Sequence, residues 1–230
     1  MTRLDAAAYL DHLGSTGTPI DSPGATVLLA LHPAALARRS RTQRAPYGSV
    51  QRPRRGIPIA TVQPHGPGPA VAAMAVDLLA ASGVEAIVGV GIASLLDHGG
   101  SPVPRAVVID SAVADESVSP RYGGHPHADP ALTSRLDDTV DNSVRGAAFS
   151  TAVPFRVDRT AALASGATVI DMEAAALFAA AHTCGIAAAL VVVPSDLTGA
   201  DHWKALDPTP VAETVGAIAN RIRSTIVEEG

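Results

Sequence analysis

The sequence predicts an α/β protein: a single domain over residues 1–230, built as three layers, α/β/α, around a central mixed, twisted sheet. Three observations lead there. Short β-branched apolar runs alternate with Ala-rich segments of helix length, Gly and Pro punctuate the changeovers, and 230 residues suffice for one sizeable buried core without any break in composition to mark a boundary. Hydrophobic residues make up 47% of the chain and aromatics only 3%, so the core has to be assembled from Ala, Val, Leu and Ile. That composition suits small helices lying close on a β-branched sheet.

In chain order, residues 1–24 read as a lead-in, with a short helix over 4–13 followed by a Gly, Ser, Thr and Pro-rich stretch. Residues 25–31 (ATVLLAL) form the first buried strand, ended by His32-Pro33. An Arg-rich loop over 37–56 follows. Arg38, Arg39, Arg41, Arg44, Arg52, Arg54 and Arg55 are seven of the chain's seventeen Lys and Arg, with no acid among them. Repulsion between like charges favours a solvated, mobile loop. The alternative is an anion site that closes over phosphate or reaches a neighbouring subunit.

The second strand, 57–63, runs through His65-Gly66-Pro67-Gly68-Pro69 into a helix over 70–81. Glycines at such a turn let a ligand approach the backbone and leave helix amides free for an anion. A third strand over 85–91 ends at Gly91, before Ile92-Ala93-Ser94-Leu95, and a fourth covers 105–112. Beyond it, His125 and His127 alternate without a nearby third ligand, which reads as a solvent loop rather than a metal site. An amphipathic helix over 130–140, a strand over 146–151 and a closing helix over 210–226 complete the outer elements.

The organising stretch is 167–203. A strand over 167–170 runs into Asp171-Met172-Glu173 and a helix over 174–182; after Cys184-Gly185 a strand over 187–193 ends on Ser195-Asp196. Each acid alone has a plain structural role, Glu173 as a partner for the helix dipole and Asp196 as a turn residue. Together they place two carboxylates where strands stop, Glu173 opening a helix and Asp196 opening a loop, at the edge where α/β sheets bind ligands.

The motifs VIDMEAAALF and VVPSD resemble the nucleoside phosphorylase and nucleosidase superfamily, whose members carry a Val-x-x-Met-Glu-x-Ala-Ala-Leu-Phe helix start and a Val-Val-Ser-Asp strand end. The resemblance extends from about Ala25 to Trp203. Asp115, Glu116, Ser119 and Tyr122 match a segment of uridine phosphorylase-like proteins, with Ser117 in place of a glycine. Ser150 to Arg156 is similar to the segment that contributes to the base pocket, with Ala152 in place of its acid. Phe155 is either a ring beside the base or a core side chain.

The resemblance implies an enzyme, a pentosyltransferase that cleaves the N-glycosidic bond of a purine or pyrimidine nucleoside with inorganic phosphate as possible co-substrate and no other cofactor. Glu173, with the backbone of Met172, would grip the ribose near the developing cation. Asp196 would protonate or hydrogen-bond the leaving base. Gly91, Ser94, His65, Gly66, Phe155, Arg156 and Arg121 complete the expected substrate-binding set. The strand end looks purine-like and the middle of the chain uridine phosphorylase-like, so the base stays open.

Two departures bear on the nucleophile. The family's phosphate-holding Gly and Arg after the first strand are replaced by Leu31-His32-Pro33-Ala34-Ala35, and its second phosphate Arg falls on Ile87 or Gly89. A site without arginines holds a phosphate dianion poorly, whereas water needs no such charge. A nucleosidase is therefore the alternative, and a repurposed member that only binds a ligand, or performs different chemistry, is a third.

A net charge of −5 argues against a general nucleic-acid binder. Cys184, the only cysteine, reads as a small core residue and excludes an internal disulfide or Cys-based zinc site. The apolar run over 174–193 has the length of a membrane span but is broken by His182, Thr183 and Gly185, and the first residues lack an apolar signal core. The expectation is a cytoplasmic, membrane-free protein that forms a homodimer or a higher homo-oligomer.

Overall fold

The computed structural model describes residues 5–15, 23–37, 41–52, 59–96 and 102–226. Its strands are β1 (Thr26–Ala30), β2 (Thr42–Ala45), β3 (Gly48–Gln51), β4 (Ala60–Gln63), β5 (Ala86–Leu96), β6 (Ala106–Asp115), β7 (Ser143–Thr151), β8 (Val169–Asp171), β9 (Ala187–Thr198) and β10 (Trp203–Ala205). The helices are α1 (Ala6–Ser15), α2 (Pro69–Ala81), α3 (Pro130–Thr139), α4 (Arg159–Ala164), α5 (Ala174–Cys184) and α6 (Pro208–Thr225).

All ten strands belong to one mixed sheet in the order β10-β9-β6-β7-β8-β5-β1-β4-β3-β2, and β9 also pairs with β5. That extra pairing closes β5, β9, β6, β7 and β8 into a ring, from which β1, β4, β3 and β2 extend as a wing. The mixed central sheet is as expected; the closure is not visible in the sequence, because nothing local encodes a contact between strands about a hundred residues apart.

Alternation along the strands feeds two cores. Val27, Leu29, Ile87, Val107 and Leu190 point to a cluster with Val76 and Leu79 of α2 and Leu177 and Phe178 of α5. Leu28, Val88, Val108 and Val191 point the other way, to Leu136 of α3 and Ile218 and Ile222 of α6. This period of two, with helices on either face, is the layering the apolar runs predict. Ala174 to Ala181 are buried without a break, and a helix apolar on all sides has to be internal. Its small side chains let it lie against α2. Gly185, at φ 69°, ends it in a left-handed cap and turns the chain into β9, dividing the run over 174–193 into helix, turn and strand. Among the described residues no helix is long and apolar enough to cross a membrane.

Several local expectations need correction. The described part of the Arg-rich stretch is a β-hairpin, β2 antiparallel to β3, which pairs onto β4 and so joins the sheet. The hairpin places Arg44 on an exposed edge strand, and Arg52 Nε donates to Gln43 Oε1 at 2.9 Å. Arg38, Arg39, Arg54 and Arg55 lie outside the described residues. The third strand does not stop at Gly91 but continues to Leu96, and β9 continues past Pro194 to Thr198. Asp196 is therefore a strand residue and not the start of a loop. The two extensions pair with each other, which explains both.

Candidate active site

The two acids reach their positions by different routes. At the end of β4 the chain passes through residues 64–68, and Gly68, at φ 106°, sits immediately before Pro69 at the start of α2. Pro69 has a fixed φ suited to a first helical turn and no N–H to satisfy. The Gly68 amide donates to Glu173 Oε1 at 2.5 Å. The Gly68 amide of the glycine turn is thus taken by a side-chain carboxyl of the same chain and is not left free for a ligand.

Glu173 is positioned by Asp171, which is 5% exposed. Asp171 Oδ2 accepts from the Glu173 amide at 3.0 Å and the Ala174 amide at 2.6 Å, capping α5. Its Oδ1 accepts from Ser150 Oγ at 2.5 Å, and the same hydroxyl accepts from the Ala175 amide at 3.0 Å. Burial raises the Asp171 carboxyl above its usual range, against the pull of these donors. Burial, and then the negative charge of Asp171, push Glu173 up from 4.5 to about 7.

Asp196 owes its placement to an irregularity. Along the β5–β9 ladder Ala93 opposes Pro194, but Ser94 opposes Asp196, so Ser195 is an extra residue. A bulge of this kind bends a strand and re-aims the side chains beside it. Ser195 Oγ reaches Ala93 O at 3.3 Å and donates to Asp196 Oδ1 at 2.7 Å. Asp196 Oδ2 accepts from Ser94 Oγ at 2.5 Å, Trp203 Nε1 at 2.8 Å and, more weakly, Thr198 Oγ1 at 3.4 Å.

Ser94 ties the two ends together. In register it opposes Asp196 of β9 on one side and Ile170 of β8 on the other. The two acids therefore leave strands that border the same strand, β5, with Glu173 three residues beyond Ile170. Both remain partly accessible.

The profile of the Phosphorylase superfamily matches residues 45–228, most of the chain. The protein belongs to the phosphorylase superfamily. Its fold is similar to a purine nucleoside phosphorylase from Toxoplasma gondii in complex with immucillin-H, at 16% identity and TM-score 0.72, over 89% of this chain and 92% of that one. It is similar to an AMP nucleosidase from Bacteroides thetaiotaomicron at 17% identity and TM-score 0.72, over 99% and 100%. A uridine phosphorylase from Vibrio fischeri aligns at 18% identity and TM-score 0.71, over 91% and 94%. No match to the chain is found among the curated proteins.

Within this superfamily member the remaining predicted site residues divide. Met172 is next to Glu173, and a methyl group added at Gly68 would lie 3.8 Å from its Cε. His65 is exposed, with Nε2 3.1 Å from Pro46 O, and Gly66 has open space around it. Gly91 is buried in β5, where a methyl group would meet Leu31 Cβ at 3.1 Å; it makes room for packing and does not form a ligand turn. Phe155 is 98% exposed and Arg156 is exposed beside it, so the second of the two alternatives for Phe155, core packing, is removed.

Arg121 lies elsewhere. It lines a cleft of about 1040 Å³ with Asp77, Tyr122, Thr183 and Cys184, at the far end of α5 from Glu173. The eleven residues of α5 set Glu173 roughly 16 Å from Cys184, which shares that cleft with Arg121. In that cleft Asp77 accepts from Tyr122 Oη at 2.6 Å and Cys184 Sγ at 3.4 Å, and burial pushes the thiol up to about 11. His125 and His127 line a second cleft, where His125 stacks on His182 with ring centroids 4.3 Å apart. Among the described residues no group of three or more His, Cys, Asp or Glu is placed to hold a metal ion.

Ser150, Thr198 and Trp203 are partners of the acids that no motif in the sequence marks as such. Trp203 had one signal, as an aromatic in a chain nearly devoid of them.

Proposed function

We propose that this protein cleaves the N-glycosidic bond of a nucleoside or nucleoside-like metabolite as a pentosyltransferase, with Glu173 on the ribose and Asp196 on the base. The observation that carries the reading is the pair of carboxylates delivered by β8 and β9 to either side of β5. Leaving-group departure builds positive charge on the sugar and negative charge on the base. An ionised Glu173, with one oxygen anchored on Gly68, has its other oxygen for ribose hydroxyls and lies near the developing cation. A base protonated on a ring nitrogen leaves more readily, and Asp196 is placed to hydrogen-bond that N–H.

The nucleophile in this reading is phosphate, supplied to the site as co-substrate. Water is a second, supported by what stands at the end of β1. Burial lowers the pKa of His32 there, and its Nδ1 accepts from the Ala34 amide at 3.2 Å. Neither it nor Ile87 or Gly89 of β5 offers the cationic fork that a dianion wants.

A nucleoside panel incubated with and without phosphate tests the proposal. Ribose 1-phosphate identifies a phosphorylase and free ribose a nucleosidase; no release of any base from any nucleoside overturns the reading. A homodimer or larger homo-oligomer, the assembly the family resemblance implies, belongs to the same proposal and is checked by light scattering.

A further inference from the structure

The hydrogen bond from Trp203 to Asp196 has no evident structural duty. Trp203 begins β10, the outermost strand of the sheet, which pairs only with β9 and has all three of its residues exposed. Its ring is not core: Trp203 is 59% exposed, yet its one polar atom is directed at the carboxylate assigned to the leaving base. Two hydroxyls, from Ser94 on Oδ2 and Ser195 on Oδ1, already give each oxygen of that carboxylate a donor without it. An indole is a fused five- and six-membered ring with an N–H on the five-membered ring, the same outline and polarity as a purine protonated at a nitrogen of its five-membered ring.

We propose that Trp203 occupies the base position on Asp196 in the free protein, and that a two-ring heterocycle must displace it to bind. The inference rests on the reading of Asp196 given above and adds a specificity element to it. A single-ring base has too little surface to compensate for the indole contact it replaces, so the gate favours purine-like substrates. Displacement disturbs little else, because an edge strand of three exposed residues has few buried contacts to lose. The turn before it is held by a hydrogen bond from the Gly199 amide to His202 O at 3.0 Å, which lets the hairpin move as a unit.

Trp203 is the only tryptophan in the chain, so its fluorescence reports the gate directly. Adenine and hypoxanthine should shift its emission to the red as the indole passes into water, with a midpoint that agrees with calorimetric binding; uracil should not. In the ligand-free protein, Asp196→Asn should change the same emission. Trp203→Phe removes the competing N–H and should bind adenine or hypoxanthine about tenfold more tightly by calorimetry. Unchanged emission on demonstrated purine binding, or equal or weaker binding by Trp203→Phe, overturns the gate while leaving the site assignment intact. An equal response to uracil overturns the two-ring preference. If neither protein binds any base and neither cleaves any nucleoside, the function proposed above fails and the gate fails with it.

Discussion

Glu173 and Gly68 lie 105 residues apart in the chain and meet through a 2.5 Å hydrogen bond, so the carboxylate assigned to the sugar is itself held by a turn built to receive an anion. Gly68 can do this because φ 106° is open to glycine and strained for other residues. Gly68→Ala should therefore cost about 1–3 kcal/mol in urea denaturation. It should also raise KM for the nucleoside, since the added methyl has room but the amide no longer points as it did.

The raised pKa of Glu173 fixes the sign of two pH effects. Its carboxyl binds a proton more tightly folded than unfolded, so its contribution to stability is full below about 4.5 and is lost as pH rises through about 7. Thermal melts across that window should fall with pH, and Glu173→Gln should flatten this part of the dependence. Activity should run oppositely, because gripping ribose near a cation requires the ionised form; kcat/KM should climb through about pH 7.

Replacing Asp196 by Asn keeps the shape and removes the charge that receives the base N–H. A loss in kcat of about 100-fold or more is expected, with KM altered far less. Steady-state kinetics on the best nucleoside of the panel decides this; an unchanged kcat assigns the chemistry to another group.

Ser150 acts at one remove, through Asp171 and the Ala175 amide. Ser150→Ala leaves a buried carboxylate oxygen and a buried amide short of a partner. The expected cost is about 1–3 kcal/mol in denaturant melts. Because Asp171 also orients the Glu173 peptide, kcat/KM should fall in the same variant.

The outline of this molecule was readable wherever side chains alone decide structure. ATVLLAL and the run after Glu85 are apolar enough to be strands, and Ala174 to Ala181, six alanines around Leu177 and Phe178, is apolar on every side as an internal helix has to be. The reading failed where partners decide. Gly91 and Pro194 look like stops, yet β5 and β9 run past them because each completes the other's ladder. Thr42 to Gln51, dense in polar residues, becomes a hairpin because β4 offers it an edge. At the site, Glu173 and Asp196 stood out by motif, whereas Trp203 could not be tied to Asp196 before the bulge at Ser195 and the β9–β10 pairing were known.

The five-strand ring also governs when the protein can become competent. Its closing seam joins residues 86–96 to 187–198, contacts of high sequence separation of the kind that slow folding. A chain emerging from the ribosome holds its anion-receiving turn long before it holds either acid, and has no complete site until the ninth strand has been made and docked. The proposed site is thus complete only once β9 has docked on β5, and a fragment that stops short of residue 198 lacks that seam.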